Sequence, residues 1–328
     1  MCTQPRVYAV KHKDFNIRIN SRSGGVFTAL SDYVLKQGGI VYGCILTDHF
    51  KAIHIRAETK EKRDLMRGSK YVQSDLQQTY KNIKFDLNKG LLVLFSGTSC
   101  QVSGLKSYLG SQFDKLICVD IVCHGVPSPI IWDSYVKWME SKYQGTCINV
   151  DFRNKEKFGW SNHKETLVIQ DGFGKKIEVD STIYANLFYS NNITRPACHK
   201  CPYKSIYHPG DITIADYWGV DKAAPGFSDN NGVSLVLINN NTGNDLFSNI
   251  KQDIDYKECR IEDSMQEPLI RPYPIPKTRS LFWKRYNTWS FNRIVKEYGG
   301  IGKKAKIKQL HMKIKRKIHR LMRIHSMR

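Results

Sequence analysis

The sequence predicts an α/β fold, with mixed sheets and flanking helices in two lobes and a basic amphipathic helix at its C-terminal end. Apolar runs bounded by turn residues, such as LLVLFSG and KLICVDIVC, alternate with segments of helical periodicity. With 328 residues, 41% of them apolar, the chain can bury more core than one small domain needs.

The elements follow in chain order. Gly24 to Gly39, GGVFTALSDYVLKQGG, reads as a helix, with Ser23 as a candidate cap and Gly38 and Gly39 as its stop. IVYGCIL is a strand and HIRAET another. LLVLFSG, the short helix SCQVSGLKSYLG and the buried strand KLICVDIVC make a strand-loop-helix-strand unit. PSPIIWDSYVKWMESKYQG is a helix, and ETLVIQDGFGKKIEVD is a hairpin turning at Asp171 to Gly174. DITIADYW and GVSLVLINN are later strands, and TGNDLFSNIKQ is a helix. A soft boundary near Asn88 to Gly90 separates an N-terminal lobe, 5–88, from a C-terminal lobe, 89–300, followed by a tail, 301–328.

Net charge is +21, yet eleven Lys or Arg and no acid fall between Gly302 and Arg328. In that tail Ile307, Leu310, Ile314, Ile318 and Leu321 recur at steps of three and four, on one helical face. Such a helix suits an anionic membrane surface, an acidic protein or RNA. About half of the excess thus sits in one segment, leaving the body near +10 (21 − 11), and nucleic acid is not the expected partner of the whole chain. No run approaches a membrane span, the N-terminus has no apolar signal core, and nine cysteines is an odd count. These features predict a cytoplasmic, reduced protein, peripheral at the inner membrane surface if the tail binds lipid, whose thiols serve metal or redox work.

Cys198 and Cys201 stand two apart in RPACHKCPYK. Cys100, in FSGTSCQ, leaves a strand and opens a helix; Cys123, in DIVCHGVPSP, ends the next strand. Adjacent parallel strands deliver their C-terminal ends to one sheet edge, where ligands bind. Four thiols are then available to one site, the number a [4Fe-4S] cluster or a structural zinc takes. Cys2, Cys44, Cys147 and Cys259 read as small apolar residues, and Cys118 sits on the opposite strand face from Cys123, which makes Cys123 the preferred ligand of the two. No strand leads into CHKC, which disfavours a thioredoxin-like role. Two stretches suit anions. SRSGGVF offers Arg22, Ser23, Gly24 and Gly25 at a helix start, and RGSKYVQSD offers Arg67, Gly68, Ser69 and Lys70 beside Tyr71. There is no G-x-G-x-x-G and no P-loop.

In this order, SRSGGVFTALSDYVLKQGGIVYG, RGSKYVQSDL, VLFSGTSCQVSGLKSYL, VDIVCHGVPSP, CHKCPYK and GDITIADYWG resemble the coenzyme F420 hydrogenase/dehydrogenase beta-subunit family over roughly Arg6 to Ile238. The resemblance implies an iron-sulfur flavoprotein oxidoreductase that binds FAD and a [4Fe-4S] cluster and passes hydride to coenzyme F420 or another small-molecule acceptor. It makes Cys100, Cys123, Cys198 and Cys201 the cluster ligands and lines the FAD site with Ser23, Gly24, Gly25 and the Gly68 to Tyr71 turn. Lys70 would stabilise charge on reduced flavin. His124 is a candidate for proton delivery or an ordinary hydrogen bond beside the cluster, and Tyr217 and Trp218 for the flavin wall or the core. Relatives often carry a ferredoxin-like segment that is not seen here, so electrons are expected from a separate ferredoxin or other acidic electron-transfer protein, docked on basic surface. A role in surface-polysaccharide metabolism is compatible with this reading. The competing readings are a zinc-stabilised basic module that binds nucleic acid or membrane without catalysis, and a scaffold that has kept only the fold.

Overall fold

The computed structural model describes residues 4–302. The tail helix expected from Ile307 onward, and Cys2, lie outside the described residues. In chain order the strands are β1 (Arg6–His12), β2 (Ile40–Leu46), β3 (Ala52–Ala57), β4 (Val93–Thr98) and β5 (Leu116–Ile121). Then come β6 (Thr146–Asp151), β7 (Glu165–Gln170) and β8 (Lys176–Ser181), followed by β9 (Ile212–Asp216), β10 (Ser234–Ile238) and β11 (Ile254–Cys259).

Eight of them form one mixed sheet in the order β11-β1-β10-β9-β5-β4-β2-β3, while β6, β7 and β8 form a small antiparallel sheet. The large sheet draws strands from both sides of position 88. Its centre, β2, β4, β5 and β9, is parallel, and antiparallel strands flank it on both sides.

Helices cover both faces of this sheet. Leu30 and Val34 of the helix Val26–Lys36 pack with Val10, Val41, Leu94 and Val236 on one face. Val102 and Leu105 of the helix Ser99–Leu109 pack with Ile83, Phe95 and Cys118 on the other. In β5 the two-residue alternation sends Ile117 and Val119 to the first face and Cys118 to the second, so Cys118 is core. Every residue of β10 is buried, as in a strand covered on both sides.

The chain leaves β5 at Ile121 and returns at Ile212 to its direct neighbour, β9. Between them lie the small sheet and the helices Pro129–Tyr143 and Ile183–Tyr189, joined in one core by the helices Arg279–Thr288 and Phe291–Tyr298. Trp132, Tyr135, Leu167 and Tyr184 centre that core. The Trp132 indole N–H is satisfied by Phe50 O at 2.8 Å.

One local expectation is corrected. Ser23 does not cap the helix that follows: Gly25, at φ 86°, occupies the cap position without a side-chain bond, and Ser23 Oγ donates to Val233 O at 2.6 Å. The left-handed backbone at Gly25 turns the chain into the helix beside β1, where a Cβ would stand 3.0 Å from His12 Cβ.

Candidate functional site

The four motif cysteines reach one place because two loops are zipped together. β4 and β5 run parallel in register, Thr98 opposite Ile121, so Cys100 and Cys123 leave the same sheet edge. Beyond Cys123, Arg195 N–H donates to Val126 O (2.9 Å) and Ser128 N–H to Ile193 O (2.9 Å). This fastens the chain leading into Cys198 and Cys201 to the loop after β5. Gly125 sits in the crossing, where a Cβ would lie 3.2 Å from Thr194 and 3.6 Å from Cys198 Cβ. Val126 N–H donates to Cys198 Sγ (3.4 Å), and Thr98 Oγ1 is 3.1 Å from Cys100 Sγ. The buried Lys204 donates to the carbonyls of Cys123 and His124.

All four cysteines border one cavity of about 870 Å³ at the C-terminal edge of the parallel strands. Among the described residues, no three His, Cys, Asp or Glu converge tightly enough for a single metal ion. A cluster has bulk of its own, and its ligands need not touch one another. Burial pushes the Cys123 thiol up to about 12, against the lowering influence of Lys204. Any metal bound here therefore displaces a proton from sulfur.

The same cavity is bordered by Ser23, Gly25, Arg67, Gly68, Ser69, Lys70 and Tyr71. Lys70 donates to Arg67 O (2.8 Å) and Leu65 O (3.1 Å), and burial pushes its pKa down to about 8. His54 faces it from β3. Its Nε2 bonds Ser96 O (3.2 Å), burial holds its pKa at about 4, and its Nδ1 is enclosed with no partner. Gly24 does not border the cavity; it lies where β1 and β10 approach, and a Cβ there would stand 2.1 Å from Val10 O.

His124 borders the cavity next to Cys123, with Nε2 2.7 Å from Asn191 Oδ1 and its ring stacked on Tyr273 at 4.0 Å. Burial pushes its pKa down to about 4, so it is neutral at physiological pH. Tyr217 is core, its hydroxyl 2.6 Å from Ser264 Oγ, and Trp218 stacks on Trp160 at 5.0 Å.

A second, smaller chamber of about 290 Å³ adjoins the first across Arg22, Gly68 and Ser69. Arg153, from the end of β6, reaches Asp216 Oδ2 (2.9 Å), and Trp160 Nε1 donates to Asp216 Oδ1 (2.9 Å). Arg22 donates through Nη2 to Trp160 O (2.7 Å). Sequence reasoning missed Arg153, Asp216 and His54. Arg153 belongs to no motif; Asp216 stands inside ADYWG, where the aromatics drew attention; His54 is a strand residue with no distinguishing neighbour.

No curated protein matches this chain. Among solved structures, it is similar to a chain of the F420-reducing [NiFe] hydrogenase complex from Methanosarcina barkeri, with 19% identity and a TM-score of 0.52 over 86% of this chain and 92% of that one. At that identity the likeness speaks to fold. A family model for the C-terminal part of the beta subunit of coenzyme F420 hydrogenase/dehydrogenase matches residues 91–264, more than half of the chain and including all four cysteines of the cavity. The chain therefore belongs to the coenzyme F420 hydrogenase/dehydrogenase beta-subunit family.

Proposed function

We propose that this protein is an iron-sulfur flavoprotein oxidoreductase that binds FAD in the larger cavity and a [4Fe-4S] cluster on Cys100, Cys123, Cys198 and Cys201. The observation that carries this reading is the sharing of one cavity by the four motif thiols, with Cys44 also on its wall, a basic turn and an unpaired imidazole nitrogen. The fit is chemical. An all-sulfur donor set suits an iron-sulfur cluster, and the orphaned His54 Nδ1 is an acceptor that a ring N–H of a ligand would satisfy. A flavin supplies the ability to exchange electrons singly on one side and a hydride on the other.

The chain's own residues prepare for that chemistry. Arg67 and Ser69, with the uncapped start of the helix Val26–Lys36, offer donors to phosphate. Lys70 places a cation at the cavity wall, where negative charge would be stabilised. Lys204 sets a second cation beside the thiols and holds the Cys123 loop. The electron donor is a separate acidic protein of ferredoxin type and the acceptor a small molecule, coenzyme F420 or another. Among the described residues no helix is long and apolar enough to cross a membrane.

The test is anaerobic purification followed by an absorption spectrum and iron, zinc and flavin counts. About four irons and one FAD per chain are expected. Cys198→Ser should lose iron and keep flavin. One zinc with neither iron nor flavin would overturn the proposal in favour of a structural clip.

A further inference from the structure

We propose that Arg22 and Arg153 form the oxyanion seat of a substrate subsite, in the smaller chamber, for a small hydroxylated molecule bearing a carboxylate or a phosphate. The seat is read from hydrogen-bond accounting. Both side chains are at least nine-tenths buried, with 9% and 5% of their surface exposed. Arg22 Nε and Nη1 and Arg153 Nε are enclosed without a hydrogen-bond partner. One carboxylate, Asp216, serves both guanidinium groups and is already engaged by Arg153 Nη1 and Trp160 Nε1, while Arg153 also donates to Tyr71 Oη (3.4 Å), Trp160 O (3.3 Å) and Asn162 O (3.4 Å), leaving only its Nε open. It stands 3.5 Å from Arg22 Nε, an ion pair without a hydrogen bond.

Lys155, nearby, is not open in the same way: it donates to the carbonyls of Ser23 (3.2 Å), Asn231 (3.0 Å) and Arg18. The vacant donors therefore belong to the arginines. Enclosed guanidinium N–H groups are costly unless paired, and each unpaired N–H can donate singly to an oxyanion, Arg22 Nη2 being already held by Trp160 O. The rest of the chamber sets the class of ligand. Asn149, Asn154 and Thr166 line it, as do the carboxylates of Asp151, Glu156 and Glu178. Those carboxylates disfavour a second negative charge and accept from hydroxyls. About 290 Å³ lies at the lower end of small-molecule sites. Because Arg22, Gly68 and Ser69 border both cavities, a molecule seated here lies next to the larger one.

The word substrate rests on the function proposed above; the oxyanion seat does not. Isothermal titration of the purified holoprotein with glucuronate, glucose 6-phosphate and neutral glucose tests it. At least one of the two anions should bind and glucose should not; which anion binds tells carboxylate from phosphate. Arg22→Gln should weaken that binding about tenfold or more. Asp216→Asn removes the competing carboxylate and should tighten it, which keeps the test open if Arg22→Gln fails to fold. Binding of neither anion, equal binding of glucose, or unchanged affinity in Arg22→Gln would overturn the proposal. So would an anion that binds only flavin-free protein and is displaced by flavin, which would give the arginines to a cofactor phosphate. Iron and flavin counts on the same sample keep the two proposals separate: full counts without anion binding sink only this one, and anion binding without cofactors sinks only the function.

Discussion

Lys204→Met is the sharpest probe of how the thiol-bearing loops are held. Lys204 is 7% exposed, and its ammonium bridges the carbonyls of Cys123 and His124 from just beyond Cys201. Charge-assisted hydrogen bonds contribute about 1.5–3 kcal/mol each, and the variant would leave two carbonyls unpaired. Burial lowers the Lys204 pKa, so the buried charge carries a cost of its own that offsets part of this, leaving a net loss of about 1–3 kcal/mol. At about 1.5 °C per kcal/mol for a chain of 328 residues, the melting temperature should fall by about 1.5–4.5 °C. The assay is thermal unfolding of cofactor-free protein followed by near-ultraviolet circular dichroism, with Lys204→Arg as a charge-retaining control. Because Lys204 favours the Cys123 thiolate, iodoacetamide should also label Cys123 more slowly in the Met variant. A variant that melts with the wild type and labels at the same rate would refute the bridging role.

Lys70 gives a pH signature. Its folded pKa of about 8 lies below the ordinary 10.5, so between these values the unfolded chain binds more protons and wild-type stability rises with pH. Urea titrations should show that rise, and Lys70→Met should lack its share of it. Gly24→Ala would drive a Cβ to 2.1 Å from Val10 O and 2.6 Å from Ser234 N. We expect a loss of about 3 kcal/mol or more, or no folded protein, by circular dichroism. Cys118→Val should keep its iron because Cys118 is core, whereas Cys100→Ser should lose iron; equal iron in the two variants would break the division between core and site cysteines.

The parallel centre of the sheet was legible because strands covered on both faces must be apolar throughout, as in Val93 to Phe95 and Ile117 to Val119. The edge was not. In β11, IDYKEC, only Ile254 is buried, so the composition resembles a loop; such charged edges also resist pairing with other chains. β1 mixes Arg6 and Lys11 with apolar residues and joins the sheet through long-range pairing with β10 and β11. The cysteine quartet could be anticipated because strand ends and a local motif announce it. The Arg153–Asp216 pair could not: 63 positions separate the partners, and each stands in a context that suits a surface.

The direct pairing of β5 with β9 lets a whole body be hosted between two neighbouring strands. The β4–β5 register that aligns Cys100 with Cys123 is set within the host sheet, before the insertion begins. The insertion supplies Cys198, Cys201 and Arg153. The stretch from β6 to β8 holds Arg153 and none of the four motif cysteines, so grafting it between relatives would test the subsite proposed for Arg153 separately from the thiols.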